Sequence, residues 1–337
     1  MDFDTDKYSS SGSPWMGFDN KGGVPRYDIA LNTDTMGAPH ALSFAKKCIK
    51  INVLLHVSTA YVYGGKKSRV LLENPFQNEM ARYYGWPNTY VFTKAMEEMI
   101  LGDYRDDLPL VITRPTIVTS TYSQPFAGWI EGLTVDRRIL DFGKGKLNFL
   151  PGKPDTIHDL IPADMVVSQI IVAMMANANQ SSQIIYQFVS SMRNPLNFSN
   201  PQDFSIWYFA KRPLINKNGK PATTGKFKIL KTATRFRLSM AIRYVLPLKF
   251  YAKNIYEDIC IDSDRKIKFA IQVVEFYKPF LFFEDIFGDT NSEKLRMIIR
   301  QNDEEVDVFN FDPKCNDWED YIVNTHVPGL VRYALQR

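Results

Sequence analysis

The chain has 337 residues, 45% of them hydrophobic and 23% charged, with a formal net charge of +4. It is too apolar for a disordered chain, long enough to bury a core without cross-links, and too weakly basic for a dedicated nucleic-acid binder. The three cysteines, Cys48, Cys260 and Cys315, lie far apart and form no Cys-x-x-Cys, which argues against a disulfide scaffold or a cysteine zinc site and fits a reducing, intracellular compartment.

Residues 1–23 are polar and rich in Ser, Gly and Asp, and predict a disordered leader without the positive start and apolar core of a signal peptide. From Arg26 to Ile117 helix and strand patterns alternate. Thr35 to Lys47 predicts a helix packing through Met36, Ala38, Leu42 and Ala45, with Pro39 in its first turn. Ile51–Val57 predicts a buried strand, followed by a polar loop at Gly64-Gly65-Lys66-Lys67. Asn88 and Thr89 open a helix expected to run to about Leu101, packing through Phe92, Ala95, Met96, Met99 and Ile100 and ending at Gly102. Leu108–Thr113 predicts a second strand closed by Arg114-Pro115. Apolar strands without polar alternation, separated by helices, indicate an α/β fold with a parallel sheet covered on both faces. Gly143–Pro154 predicts loops, Pro162–Asn177 a helix and Gln183–Val189 a strand. No apolar run reaches membrane-span length; Met165–Ala176 is too short and carries Ser168 and Gln169. Beyond Ser199, Pro-punctuated segments dense in Phe, Tyr, Arg and Lys predict a mostly helical second domain. The expected division is a leader at 1–23, an α/β domain at 24–198 and a helical domain at 199–337.

One pair carries chemistry. Tyr90 and Lys94 form a Tyr-x-x-x-Lys pattern one helical turn apart, on one face. An ammonium about 4–5 Å from a phenol favours the phenolate by ~3–4 kcal/mol at an effective dielectric of ~20, which moves a tyrosine from about 10 toward the working range of a general acid. A second copy, Tyr63 and Lys67, sits in a glycine loop with nothing to fix its geometry. Ser58 and Thr59 follow the strand Ile51–Val57 directly, at the carboxyl end where open α/β sheets bind ligands. Pro115 and Thr116 stand at the equivalent place on the next strand. The four histidines have no metal-ligand spacing, so no metal is expected. Asp159 and Asp164 read as loop and cap residues.

These residues resemble the short-chain dehydrogenase/reductase superfamily in its extended branch. Longer motifs resemble its plant alcohol-forming fatty acyl-CoA reductases: His56-Val-Ser-Thr-Ala-Tyr-Val62, Gly85-Trp-Pro-Asn-Thr-Tyr-Val-Phe-Thr-Lys-Ala95, Leu108 to Val118, Pro125-Phe-Ala-Gly-Trp-Ile-Glu-Gly132, Ile161-Pro-Ala-Asp-Met-Val166, Lys278 to Phe283, Phe311 to Lys314, Trp318 to Tyr321 and His326-Val-Pro-Gly329. The resemblance runs from about Arg26 to Arg337. It implies NADPH-dependent reduction of a long-chain fatty acyl-CoA to a primary alcohol through the aldehyde, for waxes, suberin or pollen-wall lipids, at the endoplasmic reticulum surface or in a plastid. It further implies that Tyr90 donates the proton and that Lys94 holds the nicotinamide ribose. Thr59, with Ser58 beside it, would hydrogen-bond the carbonyl, and Pro115 and Thr116 would line the nicotinamide pocket.

The sequence departs from that family in two places. It has no Gly-x-x-Gly-x-x-Gly turn to seat a pyrophosphate, and it is short between Gly64 and Gly85. The expected fold is therefore an incomplete Rossmann-type sheet lacking its first strands, with Ile51–Val57 at an exposed edge. The competing function is a catalytically inactive relative that binds acyl lipids or partners. Lys231–Lys253 is basic and amphipathic, which suits peripheral membrane association, and Pro247 interrupts it. The aromatic stretch Phe276–Phe287 reads as core, or as the wall of an acyl tunnel.

Overall fold

The computed structural model describes residues 35–63, 70–73, 89–131, 136–145, 148–216, 218–247, 267, 271, 274–275, 277–301 and 308–334. The leader, the Gly64–Lys67 loop, Asn88, Phe276 and the end of the basic segment lie outside these residues.

Three parallel strands form the centre: β1 (Leu54–Val57), β3 (Leu110–Pro115) and β7 (Gln183–Phe188), in the order β1-β3-β7. Leu54 pairs with Leu110 and Val57 with Thr113, while β3 pairs along its full length with β7. Every residue of β3 is buried, as expected of an apolar strand between two covered faces. Successive side chains point to opposite faces. Leu110, Ile112 and Ile185 meet α1 (Gly37–Lys47) and α2 (Thr89–Tyr104) through Ala38, Leu42 and Leu101. Val111, Tyr186 and Phe188 meet α4 (Ala163–Asn177) and α7 (Thr290–Ile299) through Met165, Ala173, Leu295 and Ile299. Each fully buried aliphatic side chain contributes about 1.5–3 kcal/mol. Among the described residues β1 pairs with β3 alone, and Val57 is 43% exposed.

Three two-stranded parallel pairs surround this sheet: β2 (Val70–Leu71) with β9 (Ile286–Phe287), β4 (Ile117–Thr119) with β6 (Leu160–Pro162), and β5 (Phe149–Pro151) with β8 (Lys228–Leu230). Helices α3 (Arg137–Gly143), α5 (Asn200–Lys211) and α6 (Ala233–Met240) lie among them. The chain closes with a continuous helical run, α8, made of Trp318–Asp320, Tyr321–His326, Val327–Gly329 and Leu330–Ala334. Its Tyr321, Ile322, Val327 and Leu330 pack with α3 and α5 in one cluster.

Four local expectations are corrected. Gly102 does not end α2, which runs to Tyr104; its hydrogen face instead admits Gln183, whose Oε1 would lie 3.0 Å from an added Cβ. The buried face of α2 is Val91, Thr93, Ala95, Glu97, Glu98 and Leu101, with Phe92, Met96, Met99 and Ile100 only half-buried, because Arg114 of β3 draws Glu98 inward. Phe149–Pro151, expected as loop, is a strand too short to show a pattern. Met36 is exposed.

Candidate active site

The carboxyl ends of β1 and β3 and the first two turns of α2 converge. The N–H of Ser58 donates to the Thr113 carbonyl at 2.8 Å, extending the ladder one residue past β1. The chain then turns through a short 3-10 helix, Ala60–Tyr63. Thr59 Oγ1 accepts the Tyr61 N–H at 3.4 Å, while Ser58 Oγ is buried with no protein partner. Tyr90 and Lys94 are both half-buried on α2, and Thr93 Oγ1 between them donates to the Tyr90 carbonyl at 3.0 Å. Lys94 Nζ lies 3.1 Å from Glu97 Oε2, and His56 Nε2 approaches the same oxygen at 3.1 Å.

The remaining expected residues divide. Pro115 ends β3, buried opposite Phe188. The Thr116 hydroxyl donates to Asp159 Oδ1 at 3.0 Å and its N–H to the Phe188 carbonyl at 3.2 Å. Asp159 also accepts from Ser190 N–H at 2.7 Å, Ser190 Oγ at 2.9 Å and Ser191 N–H at 3.2 Å. Burial raises its carboxyl above the usual range despite those bonds. Asp164 organises a loop, accepting the N–H groups of Tyr122, Ser123 and Gln124 at 2.7, 2.8 and 3.0 Å.

Tyr63 belongs to the framework and not to a second Tyr-Lys site. Its hydroxyl donates to the Leu72 carbonyl and accepts Arg114 Nη1 at 2.6 Å. Arg114 is fully buried and grips Glu98, with Nε 2.9 and 3.1 Å from the two carboxylate oxygens. Burial alone would lower the guanidinium pKa; Glu98 and Tyr63 outweigh it, so the net shift is upward. Desolvating two charges costs several kcal/mol each, roughly, and only such bidentate geometry offsets it.

The aromatic stretch closes on the same turn. Tyr61 meets Phe280, Phe283 and Phe287 edge-on at ring distances of 4.9, 5.4 and 5.2 Å. These rings fill against one another, as core does. Tyr277, one turn before Phe280, has its phenol pushed up by burial first and by the neighbouring Tyr90 next.

Sequence reasoning missed two buried polar groups. Ser120 Oγ lies 2.9 Å from His326 Nδ1, and His326 Nε2 lies 3.4 Å from Asp136. The residue types suggest a hydrolytic triad, but Ser120 is 0% exposed and Tyr321 seals it, with its hydroxyl donating to the Ser120 carbonyl at 2.7 Å. The group fastens α8 to the end of β4. The second is His158, whose Nε2 lies 2.9 Å from Arg138 Nη2. Burial first, then Arg138, hold His158 well below the ordinary histidine pKa, so it is neutral in the fold. An unfolded histidine titrates near about 6.5. The stability this contributes is present above that pH and lost as pH falls toward the folded pKa, at a slope approaching about 1.4 kcal/mol per pH unit. Urea midpoints at about pH 7.5 and 5.5 should therefore drop more in the native chain than in His158→Gln; equal drops would refute it.

Comparison with known proteins gives the family and the fold. Two family models described as male sterility protein, one of them NAD-binding, match residues 23–170 and 258–337. Fatty acyl-CoA reductase 1 of Arabidopsis thaliana is 44% identical over 364 residues, covering 93% of this chain and 74% of that protein. The chain belongs to the fatty acyl-CoA reductase family. Alcohol-forming fatty acyl-CoA reductase of Simmondsia chinensis, another relative, is 39% identical over the same shares. The 364-residue alignment is longer than the 337-residue chain, so the relative carries internal residues that this family member lacks. Among solved structures, the terminal R domain of the myxalamid biosynthetic pathway covers 88% of the chain and 62% of its own length at TM-score 0.56 and 15% identity. The reductase domain of a nonribosomal peptide synthetase from Mycobacterium tuberculosis covers 90% and 65% at TM-score 0.52 and 15% identity. Both show the Rossmann-like reductase fold.

An NAD-binding family implies a nicotinamide cofactor, and the residues of this family member suit its nicotinamide end. Ser58 Oγ, directly after β1, and Glu97 Oε1 on α2, whose other oxygen lies beside His56 of β1, are buried polar atoms without partners. For the pyrophosphate end the sequence has no Gly-x-x-Gly-x-x-Gly turn.

Proposed function

We propose that this chain reduces a long-chain fatty acyl-CoA to the primary alcohol through the aldehyde, with NADPH as reductant and CoA released. The reading is supported by the chain's membership of the fatty acyl-CoA reductase family, with Ser58 and Thr59 directly after β1 and Tyr90 and Lys94 in the first two turns of α2. When bound, the nicotinamide supplies the hydride. The chain's own residues orient and protonate. The Ser58 or Thr59 hydroxyl donates to the substrate carbonyl oxygen, and the Tyr90 phenol gives that oxygen its proton. Lys94 holds the ribose and favours loss of the phenolic proton. Purified chain incubated with NADPH and labelled C16 and C18 acyl-CoA should yield fatty alcohol. Neither alcohol nor aldehyde from folded, monodisperse chain would overturn the reading and favour the acyl-lipid-binding alternative.

We also propose that α6 and the wider turn after it, Ala241–Val245, lie on a membrane surface. Leu238, Ile242 and Leu246 are 57–58% exposed at four-residue spacing, and Arg235, Arg237 and Arg243 are exposed on the same stretch. Exposed apolar side chains flanked by cations suit an anionic lipid surface that supplies the substrate. The chain should co-sediment with vesicles containing phosphatidylserine, and L238E/I242E should weaken this at least about tenfold. Native chain left in the supernatant would sink the proposal.

A further inference from the structure

Lys94 already has an anionic partner. Its Nζ lies 3.1 Å from Glu97 Oε2 with side chains 12% and 3% exposed, so the ion pair is held out of water. His56 Nε2, on β1, stands 3.1 Å from the same oxygen but off the line of a hydrogen bond, and Glu97 Oε1 is buried with no partner. A carboxylate at this depth is retained because Lys94 neutralises it. The converse holds too: part of the ammonium's field, and one of its three N–H donors, is spent on Glu97.

We infer that Glu97 is a positioning residue, anchoring Lys94 and by its own charge keeping the Tyr90 phenol protonated to higher pH than Lys94 alone would allow. The inference rests on the reading of Tyr90 and Lys94 as the catalytic pair. Glu97 sits one turn beyond Lys94 and two beyond Tyr90, so its charge opposes the ammonium at the phenol, from farther away and less strongly. The other charged or titratable neighbours do not duplicate this role. Arg114 and Glu98 close on each other. Tyr61 and Tyr277 are held neutral, mainly by burial, and the Tyr63 hydroxyl is engaged by Arg114 and Leu72. His56 shares the Glu97 Oε2 oxygen, so the measurement runs above about pH 8.

The test is an ultraviolet difference titration that isolates the Tyr90 phenol by subtracting the Tyr90→Phe chain, without added cofactor. In a Glu97→Gln background the midpoint should fall by about one pH unit, a tenfold change in the ionisation constant. Glu97→Asp, which keeps the charge, should restore most of the difference, as a purely steric role would not. Glu97→Ala reads the same sign should the glutamine variant not fold. A midpoint that stays or rises in folded variants overturns the inference. In an active chain, the alkaline limb of kcat should move down by the same interval. A shifted phenol in a chain that makes no alcohol overturns the proposed function and leaves the inference standing; alcohol formation with an unshifted phenol does the reverse.

Discussion

Tyr90→Phe should cut alcohol formation by about 10²- to 10⁴-fold, the usual worth of a positioned general acid, in protein shown to be folded and monodisperse. The substitution removes one oxygen and keeps the ring, which is half-buried near the start of α2. Ser58, Thr59 and Lys94 stay in place, so binding and alignment persist and only proton delivery fails. Tyr63→Phe is the matched control, because it deletes the same atom from a hydroxyl that holds Arg114 and the Leu72 carbonyl. There the loss should fall on stability, by about 1–3 kcal/mol, through unsatisfied buried groups. Product analysis with labelled acyl-CoA, paired with urea melts of both variants, separates the two tyrosines. A Tyr90→Phe chain retaining more than half the native rate, by a roughly twofold criterion, would remove Tyr90 from the mechanism.

Gly329→Ala should prevent stable folding. Gly329 lies in α8, and an added Cβ would stand 2.0 Å from the Gly128 carbonyl oxygen and 2.7 Å from Gly128 Cα. Gly128 is itself held at φ +76°, with the Thr325 carbonyl 2.5 Å from where its Cβ would be. Two backbones thus meet at a spacing that no side chain permits, and neither can give, since each is pinned. On one side the Thr121 carbonyl accepts the Gly128 N–H at 2.9 Å. On the other, Tyr321 and His326 tie α8 to Ser120. Relief requires moving α8 off the cluster formed by Ile139, Phe209, Val327 and Leu330, at a cost above about 4 kcal/mol, in the exceptional range for a single substitution. Circular dichroism melts and soluble yield measure this; a variant melting within about 5 °C of the native chain would show that the contact relaxes.

Features that depend on a few neighbouring residues were legible in the sequence. The helix carrying Tyr90 and Lys94, the strands around Leu55 and Ile112, and the helix Ala163–Asn177 all follow from periodicity and terminal residues. What escaped depends on partners far along the chain. Glu98 occupies the buried face of α2 because Arg114, in another element, draws it there. The acceptor for the Thr116 hydroxyl, Asp159, stands 43 positions on. His326 and Ser120 are 206 positions apart. Gly102 resembles a helix stop, and only the Gln183 side chain reveals it as a point of close approach. The motifs Pro125–Gly132 and His326–Gly329 were recognisable separately, whereas their meeting at two glycines was not.

Glu73 closes a long circuit. Its carboxylate takes the N–H groups of Asn291 and Ser292 at the first turn of α7, 218 and 219 positions away, and that of Gln187 at the end of β7. The neighbouring Val70–Leu71 finds its partner strand only at Ile286–Phe287. During synthesis, therefore, this carboxylate has only the Gln187 N–H to take, and β2 lacks the partner strand Ile286–Phe287, until residue 292 has been made. At about 5–20 residues per second that is a delay of tens of seconds or less. Pairing of β2 with β9 and docking of α7 on Glu73 are thereby long-range steps, of the kind that slows folding.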